Sequence, residues 1–300
     1  MALKRSWALL AVLAFPGASA WGDSLAEAEA AYGAGNYDQA VKLFESAAER
    51  GDAKGQYGLG IMYEHGRGVS QDYKKAVEWY LRAASQGSAS AQNNLGYLYY
   101  NGQGVAKSDT QAFEWYTKAV AGPSSGDWDE SIAWSNLGSM YYWGRGTAKN
   151  YAKAVECYRK AAEKGNPYAA NNLGFLYEHG WGVKSDLGES ARWYRLAADK
   201  GYPFAQRNLA VMYETGRGVM QNYDEALKWY AMAAAQGSAY AQYKLGRIYE
   251  RGLGVPKDLI EAYKWYWRSS ERGDKPAKES VKRLETVLTP TQIEQSKARP

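Results

Sequence analysis

Apolar residues recur along this chain at intervals of three and four, the spacing that places side chains on one face of an α-helix. One segment carries Ala91, Leu95 and Tyr99 at this spacing, and the next carries Ala112 and Tyr116. Each stripe predicts an amphipathic helix. Because glycines interrupt the chain between the two stripes, the pattern predicts two antiparallel helices rather than one long helix.

This helix pair is repeated along the chain. A leucine followed by a small residue recurs at intervals of 36, 42, 36, 36 and 36 residues. In each copy a tyrosine follows four residues later, and then come a Gly-x-Gly and an aromatic pair, which is Trp-Tyr in every copy but one. The six leucines are Leu59, Leu95, Leu137, Leu173, Leu209 and Leu245. Two helices of this length cannot enclose a core alone, so neighbouring copies must stack, and we expect an all-α fold of the α/α solenoid type.

The repeated strings resemble a known family. LGIMYEHGRGV, LGYLYYNGQGV and LGFLYEHGWGV, each followed by a helix with a Trp-Tyr pair, are similar to Sel-one-like repeats, which are relatives of tetratricopeptide repeats. The resemblance implies a right-handed superhelix of antiparallel, tetratricopeptide-like helix pairs. It also implies adaptor or regulatory roles in the bacterial envelope. The six repeats that we predict span residues 53–88, 89–123, 132–166, 167–202, 203–238 and 239–274.

The remaining segments are predicted to border or interrupt the repeats. Residues 124–131 form an insertion, which accounts for the single 42-residue interval. Residues 21–52 resemble a shorter tetratricopeptide-like hairpin that would cap the N-terminal end. Residues 275–300 are expected to form C-terminal capping helices. In the last of them Thr289 fits an N-cap, and Gln292 would complete a capping box.

The first twenty residues have the pattern of a secretory signal peptide. Lys4 and Arg5 supply the positive start, residues 7–15 are apolar, and cleavage is expected between Ala20 and Trp21. The apolar stretch is shorter than the roughly 20 residues that span a bilayer. We therefore expect an exported protein, periplasmic or secreted, with no transmembrane segment in the mature chain.

Composition excludes several functional classes. The 37 basic and 32 acidic residues are interleaved, which argues against a nucleic-acid surface. One cysteine and two histidines leave little material for a metal site. The Gly-x-Gly strings follow helices rather than strands, so they are not nucleotide-binding motifs. We therefore predict no enzyme, no catalytic residue, no cofactor and no metal, and we interpret the repeated glutamates, such as Glu64, as a surface ladder.

Two sets of residues are candidates for binding a partner. The first set consists of asparagines at one repeat position, whose amides can donate to and accept from a peptide backbone, or can instead bond the adjacent loop: Asn94, Asn136, Asn172 and Asn208. The second set consists of aromatic residues that the repeat pattern does not explain, which form either an exposed patch or rings that the insertion buries: Trp134, Tyr142, Trp143, Phe175 and Trp181.

These observations predict an exported, non-enzymatic scaffold. We expect it to bind proteins or peptides, including envelope proteins, along the concave surface of the solenoid. The alternative is that the Trp/Tyr patch binds peptidoglycan or a surface polysaccharide.

Overall fold

The structure is a computed structural model that describes residues 20–122 and 130–299. This part of the chain forms sixteen α-helices that pack as sequential pairs. The all-α, solenoid-type fold expected from the sequence is therefore confirmed. Most of the expected signal peptide, and residues 124–129 of the expected insertion, lie outside the described residues.

The helices are, in chain order, α1 (Ala20–Gly33), α2 (Tyr37–Glu49), α3 (Ala53–His65), α4 (Tyr73–Ser85), α5 (Ala89–Asn101), α6 (Asp109–Ala121), α7 (Glu130–Trp143), α8 (Tyr151–Glu163), α9 (Pro167–His179), α10 (Leu187–Asp199), α11 (Pro203–Thr215), α12 (Tyr223–Ala235), α13 (Ala239–Arg251), α14 (Leu259–Glu271), α15 (Lys275–Glu285) and α16 (Pro290–Ala298).

Local sequence sets where most of these helices begin and end. At the start of α4 the Asp72 carboxylate accepts hydrogen bonds from the backbone N–H groups of Lys74 and Lys75, at 3.0 and 3.1 Å. The Gly-x-Gly at the end of α7 is needed for a different reason. Gly146 has a φ of 66°, and a Cβ there would collide with the carbonyl oxygen of Asp109. This glycine therefore permits close contact with the second helix of the preceding repeat.

The chain divides into two compact units, residues 1–164 and 165–300. In both units the small residue after the repeat leucine lies beneath a buried tyrosine ring from the second helix of the same repeat. A Cβ on Gly96 would lie 2.7 Å from Cε1 of Tyr116, and a Cβ on Gly174 would lie 2.8 Å from Cδ1 of Tyr194. A small residue at this position is thus a packing requirement, and at Gly96 and Gly174 even a methyl group would collide with the tyrosine ring.

The end of the second unit is covered by α15 and α16, which pack on α14. Leu284 and Leu288 join the buried cluster that contains Tyr263 and Tyr266. The capping box predicted at the start of α16 is present: the Thr289 hydroxyl accepts from the Gln292 backbone N–H at 3.3 Å, and the Gln292 side chain accepts from the Thr289 N–H at 2.9 Å.

Candidate functional site

The repeated glutamates hold the repeats together rather than forming a surface ladder. Glu64 is 1% exposed, and its Oε2 accepts a hydrogen bond from the Tyr80 hydroxyl at 2.6 Å. The same bond, across the same sixteen-residue separation, occurs three more times, in the pairs Tyr194–Glu178, Tyr230–Glu214 and Tyr266–Glu250, at 2.9, 2.6 and 2.7 Å. Each bond joins the first and second helices of one repeat. The expectation of a surface ladder fails because the tyrosine ring brings its hydroxyl directly to the carboxylate.

In the second unit a cation from the next helix pair completes each of these pairs. Lys244 lies 2.8 Å from Oε2 of Glu214, and Arg217 lies 3.2 Å from Oε1 of Glu178. Arg283 forms the corresponding pair with Glu250. Burial acts to raise the pKa of Glu250, but hydrogen bonds from Arg283 and Tyr266 outweigh it and hold that pKa below its usual range. These carboxylates are therefore engaged as structural ion pairs.

Two repeats of the first unit lack this Tyr–Glu bond. Tyr116 is fully buried, and its hydroxyl has no hydrogen-bond partner among the described residues. The reason is that Tyr100 stands at the glutamate position of that repeat. In the next repeat Tyr158 bonds instead to the Ser139 hydroxyl, at 3.0 Å.

Two candidate asparagines, Asn94 and Asn136, are buried in the first unit. The Asn94 amide donates to the Tyr80 hydroxyl at 3.2 Å, and the Asn136 amide donates to Oδ1 of Asn93 at 3.1 Å. The sequence left two interpretations open, ligand binding and internal bonding. This geometry favours internal bonding for both residues, because each amide already donates to another residue of the protein.

The other two candidate asparagines, Asn172 and Asn208, lie half-buried in the second unit. The Asn208 amide donates to Oδ1 of Asn171 at 3.1 Å, while its own oxygen accepts from Arg207. Nδ2 of Asn172 has no hydrogen-bond partner in the described part of the chain. A binding role for these two residues stays a prediction.

The aromatic candidates of the first unit form one cluster around Tyr142. Its ring centroid lies 4.8 Å from that of Trp143 and 5.4 Å from that of Tyr151, both edge-on. Trp143 is 48% exposed, so its ring is open to solvent. Trp134 is half-buried elsewhere in the unit, and the Lys160 ammonium lies over its ring, 4.1 Å from the centroid.

The aromatic candidates of the second unit, Phe175 and Trp181, form a cluster with His179. The Phe175 and His179 rings are stacked with centroids 4.1 Å apart, and Trp181 lies edge-on to Phe175 at 5.5 Å. Trp181 is 37% exposed. Nδ1 of His179 lies 2.9 Å from the Phe175 carbonyl oxygen, which orients the imidazole within the cluster.

A third set of aromatics was missed by the sequence analysis. Tyr168, Phe204 and Tyr240 each stand five residues before the repeat leucine, on α9, α11 and α13, and we call them the aromatic row. Phe204 is 54% exposed and Tyr240 is 39% exposed. The sequence signal for the row is its 36-residue spacing, which makes these aromatics part of the repeat pattern rather than exceptions to it.

The described residues offer little that could perform redox or metal chemistry. No group of three or more His, Cys, Asp or Glu side chains in this part of the chain could hold a metal ion. Burial raises the pKa of the Cys157 thiol to about 12, so the reactive thiolate is scarce at neutral pH.

The helix pairs, their Leu-Gly contacts and the bonds between successive repeats define an all-helical repeat protein of the solenoid type. The sequence profile of the Sel1 repeat matches seven consecutive segments: 26–52, 53–88, 89–123, 133–166, 167–202, 203–238 and 239–274. The chain therefore belongs to the Sel1 repeat family. The segment 26–52, which we interpreted as a capping hairpin, is matched as a repeat in its own right.

Two solved bacterial structures are similar to this chain. A protective antigen of uropathogenic Escherichia coli strains that displays an SLR fold is 35% identical, with a TM-score of 0.82, over 92% of this chain and 60% of that one. A Sel1 repeat protein from Oxalobacter formigenes is 33% identical, with a TM-score of 0.72, over 82% of this chain and 96% of that one. The chain thus spans about three fifths of the Escherichia coli protein.

No curated protein matches this chain. Sel1 repeat proteins are typically non-catalytic scaffolds that bind proteins, and this chain is a repeat scaffold of the bacterial type. Among its described residues, none of the helices combines the length and the apolar character that crossing a bilayer requires.

Proposed function

We propose that this protein is an exported, non-enzymatic scaffold that binds other proteins through its Sel1 repeats. One observation carries the proposal. The repeated glutamates are bonded to tyrosines and cations of the repeats themselves, whereas large aromatic side chains on the first helices are exposed. Carboxylates bonded as in the Tyr230–Glu214 pair cannot act as acids or bases without breaking a contact between the two helices of the repeat. Exposed aromatic rings such as Phe204, in contrast, supply the kind of contact that dominates protein interfaces.

The first twenty residues support export. Their positive start, apolar stretch and small residues at 18–20 have the order of a signal peptide. The similar Escherichia coli protein is a protective antigen. Export of the present chain would give it access to partners outside the cytoplasm. The test is the N-terminus of the protein purified from its own cells. We expect it to begin at Trp21, and a chain that retains Met1 would refute export by this route.

Protein binding is tested by lysine-directed crosslinking of the full chain in intact cells, followed by identification of the captured partner. The control is the chain without residues 1–20, which would stay in the cytoplasm. We expect a reproducible protein adduct with the full chain only, and its direct binding to the purified chain. If no adduct forms, or if the same adducts form with the control, the proposed function is wrong.

Saccharide binding is a second candidate function, and the exposed Trp143 ring favours it. An indole face that is open to solvent offers a flat apolar surface with a polar edge, which suits a sugar ring. The test is sedimentation of the chain with purified peptidoglycan, comparing the wild type with Trp143→Ala and Trp181→Ala. Binding that both variants retain, or that the wild type lacks, would exclude these rings as a saccharide site.

A further inference from the structure

The aromatic row is a property of the second unit rather than of the repeat. At the equivalent positions of the first unit stand Lys54, Ser90 and Ile132, of which none is aromatic. The fold can therefore be built without aromatic rings at this position. In the second unit three consecutive repeats carry them, and two of the three rings are well exposed, so packing alone does not account for them.

Arg207 lies between the two exposed rings of the row. Its Cζ is 5.6 Å from the ring centroid of Phe204, on the same helix, and 5.6 Å from that of Tyr240, on α13. Both distances are within the range of a cation–π contact. The row and this arginine thus form one composite surface that joins two successive repeats.

The charge of Arg207 is not neutralised within the described residues. Its Nε and Nη2 donate to Oδ1 of Asn208, at 3.3 and 3.1 Å, so its acceptor is a neutral amide. The neighbouring Lys244 differs, since its ammonium is paired with the Glu214 carboxylate at 2.8 Å. A guanidinium has five N–H donors, and the Asn208 bonds leave part of this set available.

The same contacts hold the guanidinium in place. Asn208 is itself fixed through the bond from its amide to Asn171, which aims its oxygen at Arg207. With one acceptor and two rings around it, Arg207 loses little side-chain freedom when an anion binds. A planar guanidinium fixed in this way suits a carboxylate, which it can bind through two parallel hydrogen bonds.

We propose that Arg207, Phe204 and Tyr240 bind an extended acidic peptide segment of a partner protein. A carboxylate of the peptide pairs with Arg207, and an adjacent apolar side chain packs against the two rings. A single unpaired cation with apolar walls fits this occupant better than a nucleic acid, which requires a row of cations. This inference rests on the proposed function and names the partner's chemistry.

The test uses the full chain and a displayed library of random peptides. We expect enriched peptides to place Asp or Glu beside an aromatic or aliphatic residue. A synthetic copy of an enriched peptide is then compared with its amide version, in which Gln or Asn replaces the acid. We expect the amide version, and separately Arg207→Gln, to lower the affinity at least about tenfold. Raising the salt from about 0.05 to about 0.5 M should also weaken binding by the acidic peptide.

The matched control is Arg192→Gln, which removes another cation beside an aromatic ring in the same unit. Arg192 lies 5.2 Å from the Trp193 centroid but is already paired with Glu189. Its loss should leave the peptide affinity unchanged. Phe204→Ala should weaken binding without removing the preference for the acid, and the circular dichroism of every variant is checked for native helix content.

Three results would overturn the inference. One is the absence of acidic peptides among those enriched, and another is equal binding by the acidic and amide peptides. The third is concentration-dependent self-association that Arg207→Gln abolishes, because the occupant would then be a second copy of this chain. Failure of this site is distinguishable from failure of the proposed function. A partner captured in cells that also binds Arg207→Gln fully would refute only the acidic-peptide site and would leave the proposed function standing.

Discussion

Tyr80 and Tyr116 occupy the same position in successive repeats, yet their hydroxyl groups lie in different surroundings. The Tyr80 hydroxyl donates to the buried Glu64 carboxylate at 2.6 Å, whereas the Tyr116 hydroxyl is buried with no partner in the described part of the chain. An unpaired polar group in a protein interior costs free energy, because it has given up its hydrogen bonds to water.

The two tyrosines should therefore respond oppositely to loss of the hydroxyl. We expect Tyr80→Phe to lower the free energy of unfolding by about 1.5–3 kcal/mol, since the bond to a charged acceptor is lost. Tyr116→Phe should change it by less than about 0.5 kcal/mol or raise it. Urea unfolding followed by circular dichroism measures both. Equal destabilisation by the two variants would mean that the Tyr116 hydroxyl is bonded after all.

The Leu-Gly signature can be tested in the same way at Gly96. A Cβ there would lie 2.7 Å from the Tyr116 ring, which is fully buried and cannot move aside without repacking. Overpacking costs about 1–3 kcal/mol, and the better helix propensity of alanine returns at most about 1 kcal/mol. We therefore expect Gly96→Ala to be net destabilising.

The control for Gly96→Ala is Gly33→Ala, at the end of α1, where a Cβ would meet no atom within 4 Å. Its expected effect is neutral or slightly stabilising. Ala210 occupies the equivalent position in the repeat that contains α11 and is fully buried, so that repeat accommodates a methyl group there. A neutral effect of Gly96→Ala would mean that the Tyr116 ring can shift enough to accommodate a methyl group, as the repeat with Ala210 does.

At the scale of elements, ion pairs join α15 and α16 to the helices before them. Arg283 on α15 bonds to Glu250 on α13. Arg299, which follows α16, bonds to Asp258 at 3.2 Å and to Glu261 at 3.0 Å. Burial alone would raise the pKa of Asp258. Hydrogen bonds from the backbone N–H of Glu261 and from the Arg299 side chain outweigh burial, so the pKa of Asp258 lies below its usual range. The C-terminal helices thus depend on charged carboxylates.

This dependence fixes the sign of a pH effect. Because the folded pKa values of Glu250 and Asp258 are lowered, their contribution to stability is present above the unfolded values, about 4.3 for Glu and 3.9 for Asp. It is lost as the pH falls through the folded values. Glu250→Gln should therefore lower the thermal midpoint at pH 7, and its difference from the wild type should shrink as the pH falls below about 4.

The matched control for this pH series is Glu279→Gln, because Glu279 is an exposed carboxylate on α15. We expect this variant to follow the wild type at every pH, as isolated surface charges contribute little. A constant difference between Glu250→Gln and the wild type across the pH range would show that packing, rather than the charge of Glu250, is responsible.

At the scale of the whole molecule, the repeat construction predicts that damage stays local. In repeat proteins each repeat is stabilised mainly by its neighbours in sequence. Gly96→Ala on α5 should therefore speed amide hydrogen exchange in α3 to α8 and leave α11 to α16 at wild-type rates. Hydrogen exchange with mass spectrometry measures this, and a uniform increase along the chain would instead indicate a single cooperative unit.

Much of this architecture was predictable from the sequence because its determinants are local or strictly periodic. The helix pairs follow from apolar spacing, and the ends of the first helices follow from the Gly-x-Gly strings. The capping box at Thr289 needs only residues three apart. The family, too, could be recognised from the in-phase strings, since six copies are far more specific than one.

The side-chain environments were decided only by the tertiary structure. Glu64 is buried where the Tyr80 hydroxyl, from the second helix, donates to its carboxylate. The Asn136 amide donates to Asn93 of the preceding repeat. Arg207 lies between Phe204 and Tyr240 because two first helices, a full repeat apart in sequence, lie side by side. The sequence thus determined the repeat, its helices and their ends, which depend on neighbouring residues. Which polar groups are buried and which remain for a partner depends on contacts between repeats, and only the packed structure sets those.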